Sequence, residues 1–207
     1  MDQLSLIPVT ALLIAANIIA SLYALANRDF MEKNLFHIGP IVEGKQWHRM
    51  LTSGFLHGGF LHLFVNMYVL FNFGGFVEQV VGMMNYLIIY FAALLGGSAW
   101  SLLENKNEAS YRALGASGAT SGIVMAFILF EPFRSLMIFP IPFFMPAVVL
   151  GLLFLVVSAI LAQRPNKSIG HEAHLGGALA GILATIVLVP GALSNFSTAV
   201  ANALGGG

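Results

Sequence analysis

From residue 5 to residue 26 the chain runs 22 positions without one charged side chain. A helix needs roughly 20 mostly apolar residues to cross the hydrocarbon core of a bilayer, which is about 30 Å thick. Comparable runs recur at residues 60–81, 84–103 and 143–162. Two further segments depart from the pattern: 117–130 is short, and 173–189 carries Gly176, Gly177 and Gly181. Together they predict six spans. Hydrocarbon offers no partner to backbone N–H and C=O groups, so spans of this length are helices. Composition agrees, with 58% hydrophobic and 9% charged residues against roughly 25% charged in soluble domains. The expectation is an all-α membrane protein forming one domain over residues 1–207, with the lipid bilayer as its first partner.

Several function classes fall away on charge and cysteine. Nine basic residues balance nine acidic ones, which leaves no basic face for nucleic acid and no polybasic lipid anchor. Cysteine is absent, and with it disulfides, thiolate metal sites and palmitoylation. Met1-Asp2-Gln3 lacks the basic start of a secretory signal, so the first apolar run is expected to stay in the membrane.

The connections between spans are unequal. The first, residues 27–59, is longer than a bundle needs and mixes charges with aromatics, as functional or separately folded loops do. The link Gly82-Met83 is so short that spans two and three must be antiparallel neighbours. The tail 195–207 is small and polar and is expected to fray.

Polar groups inside a bilayer are costly and point to function, and three sets stand out. In the first, Gly58 and Gly59 separate His57 from a helix on which His62 and Asn66 lie one turn apart on one face. In the second, Gly115-Ala116-Ser117-Gly118 places a glycine-flanked serine at the entrance of a short helix, where free backbone N–H groups favour an anion. In the third, His174, Gly177 and Gly181 form one stripe, which allows close approach to a surface such as Gly118 and Gly122. Each set alone also has a structural reading: polar glue between helices for the first, small-residue packing for the second, a core histidine bonded to a backbone carbonyl for the third. Together they supply a nucleophile, a base and oxyanion donors, the parts of acyl transfer. No carboxylate is placed to orient His174, since Glu172 points to another side of its helix. The pattern is a dyad.

The chain resembles the rhomboid family of intramembrane serine proteases. The matching pieces are Trp47-His48-Arg49, His57-x4-His62-x3-Asn66, Gly115-Ala116-Ser117-Gly118 and Ala173-His174-Leu175-Gly176-Gly177, together covering residues 40–185 in the family's order. The resemblance implies the compact six-helix prokaryotic form, with Ser117 as nucleophile and His174 as general base and then acid. It implies an oxyanion hole of His62, Asn66 and the Ser117 backbone N–H. Structural roles follow for Trp47, Arg49, His57, Gly118, Gly177, Gly181 and Glu78. Glu78 lies 16 residues beyond His62, about 24 Å along a helix, which makes it an anchor at the far membrane face. An aromatic one turn below the nucleophile is replaced here by Ser121, so the histidine ring has to be held in another way.

The implied substrates are transmembrane proteins, cut after local unwinding favoured by Gly or Pro near the scissile bond. Neither metal nor cofactor is implied. The family orientation puts the N-terminus and Arg134 in the cytoplasm of a cell membrane and opens the site to the other side. Arg28, Lys33, Lys45, Arg49, Lys106, Arg112, Arg164 and Lys167 would then lie outside, against the positive-inside tendency. Residues 139–144 before the fifth span read as a gate or as a plain loop. Two other readings stay open: an inactive rhomboid-like protein that binds membrane helices, and a metal protein using His57, His62, His171 and His174 with Glu172.

Overall fold

A computed structural model describes residues 7–137, 143–163 and 170–205. Helix α1, Pro8–Ala26, opens with a proline where no intrahelical N–H is needed. The next two N–H groups, of Val9 and Thr10, donate to the Glu78 carboxylate at 2.9 and 2.7 Å. One acidic side chain thus caps a helix distant in sequence, on the end where the helix dipole favours negative charge. The first loop then folds into α2 (Arg28–Asn34), β1 (Phe36–His37), α3 (Ile38–Val42) and α4 (Arg49–Thr52), followed by a 3-10 turn at Ser53–Phe55. Asn27 caps α2 by accepting from the Phe30 N–H at 3.0 Å.

The second span, Phe60–Val81, is interrupted. Helix α5 (Phe60–Val69) passes through one π-helical turn at Leu70–Gly74 into α6 (Gly75–Val81). Gly82 turns the chain with φ +80°, a conformation that favours glycine, straight into α7 (Met83–Asn105). Strand β2 (Arg112–Ala113) pairs antiparallel with β1, fastening the first loop to the segment that leads into α8, Ser117–Phe130. Beyond α8, β3 (Ser135–Met137) and β4 (Phe144–Pro146) form a hairpin, and α9 (Ala147–Ala162), α10 (His171–Leu188) and α11 (Ala192–Gly205) complete the described elements.

Among the described residues, four helices are long and apolar enough to cross a membrane: α1, the α5–α6 unit, α7 and α10. Helices α8 and α9 are apolar but shorter. The chain is an all-α membrane protein with two small strand pairs at its ends. Two expectations shift. Helix α9 starts at Ala147 because residues 144–146 pair with β3, and the tail is helical because alanine-rich sequence favours it and Phe196 packs on the core.

Helix α8 is central, with eleven of its 14 residues buried. Glycines bring its neighbours into backbone contact. A Cβ on Gly177 would lie 2.1 Å from the Gly118 carbonyl oxygen, and one on Gly181 would lie 2.4 Å from the Gly122 Cα. Helix α10 also meets α7 this closely, since a Cβ on Gly97 of α7 would lie 2.7 Å from the Ala173 oxygen. Small residues permit this approach, and van der Waals packing then holds the helices together without hydrophobic drive from lipid.

The two ends of the bundle differ. Glu78, the start of α1 and Arg134, whose guanidinium sits 5.9 Å from the Phe76 ring, mark one end. The first loop and the starts of α5, α8 and α10 mark the other.

Candidate active site

Loop one is built around Arg49, which is buried despite its charge. Its Nε donates to Gln46 Oε1 at 2.7 Å, and one terminal nitrogen donates to the Glu32 and Leu35 carbonyls at 2.8 and 2.9 Å. Buried charge is tolerated when satisfied in this way. Trp47 is 54% exposed and its side chain makes none of these bonds.

His57 is fully buried and has both ring nitrogens engaged. Ser21 donates its hydroxyl to the Phe55 carbonyl at 3.0 Å, so it accepts from His57 Nδ1–H at 2.8 Å. Nε2 is then the acceptor facing the Ala116 N–H at 3.4 Å. The tautomer is thereby assigned from the bonds, and His57 fixes the residue immediately before Ser117. Burial, and secondarily the neighbouring His62, hold its pKa down to about 4.

Gly115 adopts φ +123°, and a Cβ there would lie 2.7 Å from the His62 ring. Both facts call for glycine. The turn delivers Ser117 to the first position of α8, where N–H groups lack intrahelical acceptors. His62 packs edge-to-face on His57, with ring centroids 4.9 Å apart. One turn along α5, Asn66 donates to the His62 carbonyl at 2.9 Å, and its Oδ1 lies 3.3 Å from the Thr120 hydroxyl, whose one proton is shared with the Ser117 carbonyl at 3.2 Å. These bonds leave its second amide proton uncommitted.

His174 lies on the first turn of α10, one turn ahead of Gly177. The Gly118–Gly177 contact therefore places the start of α8, with Ser117, against the start of α10. Ser117, His174, His62 and Asn66 all line one cavity of about 1090 Å³, closed on one side by Leu150 and Phe154 of α9. His174 Nδ1 is buried with no partner among the described residues. Glu172 is occupied elsewhere, accepting from the Tyr111 hydroxyl and, at 3.3 Å, from Asn105. Outside the membrane helices, burial and that carboxylate raise the Tyr111 pKa well above its ordinary value.

A chain with these motifs on these helices has a recognisable ancestry. The rhomboid domain family matches residues 44–191. The chain belongs to the rhomboid family. It is 29% identical over 192 residues to RHOMBOID-like protein 12, mitochondrial, of Arabidopsis thaliana, covering 85% of this chain and 56% of that protein. Identity to RHOMBOID-like protein 5 of the same plant is 34% over 149 residues, 72% of this chain and 46% of the relative. Rhomboid protease GluP of Bacillus subtilis is 28% identical over 143 residues, 69% of this chain and 26% of that protein. The chain thus spans about half, or less, of the length of these relatives.

Within this rhomboid fold the sequence-derived residues sort by place. Ser117, His174, His62 and Asn66 meet in the cavity, and His57 stands directly behind it. Gly118, Gly177 and Gly181 form the contact between α8 and α10. Arg49 and Trp47 belong to the loop, and Glu78 to the opposite end. Of residues 139–144, read as a gate or as a plain loop, only the last two are described. Phe144 pairs in a hairpin beyond the C-terminus of α8, about 21 Å along that helix from Ser117.

For the metal reading, both nitrogens of His57 are already bonded, and among the described residues no three His, Asp or Glu side chains group as a metal site. Sequence reasoning missed Ser21, Thr120 and Phe154. Thr120 had a local signal, one turn from Ser117. Ser21 and Phe154 had none, because helix docking alone brings them in.

Proposed function

We propose that this rhomboid is an intramembrane serine endopeptidase working through Ser117 and His174. The observation that carries the reading is the single cavity that collects a serine at a helix N-terminus, a buried histidine, and the side chains of His62 and Asn66. A locally unwound segment of a transmembrane substrate enters this space. Ser117 Oγ attacks the scissile carbonyl carbon while its proton passes to the His174 ring. The carbonyl oxygen becomes an oxyanion, which accepts hydrogen bonds from the Ser117 N–H, the second Asn66 amide proton and His62. Collapse breaks the C–N bond, and the His174 proton goes to the leaving amine. Water, deprotonated by His174, then hydrolyses the acyl-enzyme and restores Ser117. Nothing in this cycle requires a metal or cofactor.

His57 acts from behind by holding the Ala116 N–H, and Thr120 sets the Asn66 amide. We also propose a prokaryotic cell membrane with the N-terminus and Arg134 cytoplasmic and the cavity open to the extracytoplasmic side. Reporter tags at positions 107 and 167 should read as extracytoplasmic; cytoplasmic readings would invert the enzyme.

The test of the function is cleavage of a helical membrane substrate by reconstituted protein. Ser117→Ala should abolish it with thermal stability nearly unchanged, while Ser121→Ala stays active. Substantial turnover by Ser117→Ala removes the serine mechanism. No turnover by the wild type on any helical substrate favours a rhomboid that binds membrane helices without cutting them.

A further inference from the structure

A general base works only while its ring faces the proton it takes, and geometry precedes basicity in that requirement. In many sites a carboxylate fixes the imidazole. Here His174 Nδ1 has no partner among the described residues, so no polar bond at that nitrogen sets the ring's rotation. Packing has to do it.

Among the described residues, two rings pack against His174. His171, three residues earlier on the same helix, meets it edge-on, with centroids 5.5 Å apart at 90°. Phe154 of α9 packs against it from another helix, tilted by 30° with centroids 5.4 Å apart. Helix α8 provides no ring one turn after Ser117, because Ser121 stands there and gives its hydroxyl to the Ser117 carbonyl at 2.6 Å. The flat support of the base comes from a third helix.

That helix is attached differently from the pair carrying the dyad. Its buried residues are the small Ala147, Gly151, Ser158 and Ala162. Several of its large side chains, Leu152, Leu153, Val156 and Ile160 among them, are 48–59% exposed. Phe154 turns inward between Gly151 and Ser158 and shares the cavity wall with Leu150. One side chain therefore bounds both the substrate space and the face of the base.

We propose that Phe154 is a positioning residue, whose ring lies on His174 and holds the imidazole in the plane needed for proton transfer from Ser117. The proposal rests on the serine-protease reading above. It separates orientation of the base from binding of the substrate, which a mere cavity wall would not do.

The experiment compares full-length wild type, Phe154→Ala, Phe154→Leu and Phe154→Tyr in phosphatidylcholine vesicles, measuring kcat and KM on a transmembrane peptide. A misplacement of about 1 Å costs about 10²-fold in rate, so Phe154→Ala should lose about that much in kcat with KM within about threefold. Phe154→Leu fills the space without a flat face and should behave like Phe154→Ala. Phe154→Tyr keeps the flat ring and should stay within about threefold of wild type. Adding Ser121→Phe to Phe154→Ala, which offers a ring from α8 into the same cavity, should recover part of kcat. Wild-type kcat in Phe154→Leu, or a change confined to KM, overturns the proposal by reducing Phe154 to a wall. Turnover surviving in Ser117→Ala overturns the protease reading instead, so the two failures are distinct.

Discussion

Helices α10 and α9 both pack on α8, but they do so by different means. Between α8 and α10 the backbones touch, and a Cβ on Gly177 or Gly181 would strike backbone atoms of Gly118 or Gly122. Between α8 and α9 the close approach at Gly151 meets the ends of side chains, Ile128 and Met125. Interlocked backbones have no soft coordinate, whereas side-chain ends can move aside. Ser117 and His174, the proposed nucleophile and base, thus ride on one rigid unit, and the cavity wall rides on a more compliant one. Catalytic geometry needs the first property, and admission of a bulky helical substrate needs the second.

The largest effect should come from forcing the rigid contact apart. Gly177→Leu places side-chain atoms where the Gly118 carbonyl stands. Such overpacking against backbone should cost upward of about 3 kcal/mol, and cleavage should vanish with a large fall in Tm. The matched change on the compliant side, Gly151→Ala, should shift stability by about 1 kcal/mol or less, since Ile128 can yield and alanine favours helix. Equal losses at the two glycines would erase the difference between the contacts.

Asn66→Ala sharpens the chemistry of the rigid side. Loss of one oxyanion donor should lower kcat about 10²–10³-fold, or about 2.7–4 kcal/mol, with little change in KM. Thr120→Val removes the bond that sets the amide and should act in the same direction with a smaller effect. Full activity in Asn66→Ala would take that residue out of the hole.

Acid should loosen the junction between the first loop and α8. His57 is held at about 4 in the fold, against an ordinary value of 6.5, first by burial. Its proton is taken up on unfolding, so the stabilisation is complete above pH 6.5 and is lost as pH falls toward 4. Protonation would also turn the Ala116 N–H acceptor into a donor. The span amounts to about 3 kcal/mol. Thermal unfolding at pH 7 and pH 4.5 checks this: wild type should lose stability on acidification, and His57→Phe should lose markedly less.

The smallest effect belongs to the lipid-facing side of α9. Leu152→Ala, at a residue 59% exposed, should change activity and stability by no more than about 0.5 kcal/mol. A severe loss there would mean that α9 is held by contacts on that face.

What the sequence disclosed divides along the same line. Apolar runs placed the long helices, and the spacing of His62 with Asn66 and of His174 with Gly177 and Gly181 is written within single helices. The β3–β4 pairing shortened α9 at its start because strand pairing joins residues that carry no local signal. Ser21 on His57 spans 36 residues, and Phe154 on His174 joins two helices of no fixed register in sequence. Such contacts arise only when helices dock, and they are the ones that meet each histidine ring.

The central claim is that Ser117 is a nucleophile activated by His174. A serine-directed fluorophosphonate, applied to the reconstituted wild-type protein and mapped by peptide mass spectrometry, measures it directly. The account predicts one modified residue, Ser117, with labelling lost in both Ser117→Ala and His174→Ala and retained in Ser121→Ala. Labelling that maps to another residue, or that persists at Ser117 undiminished in His174→Ala, would contradict it.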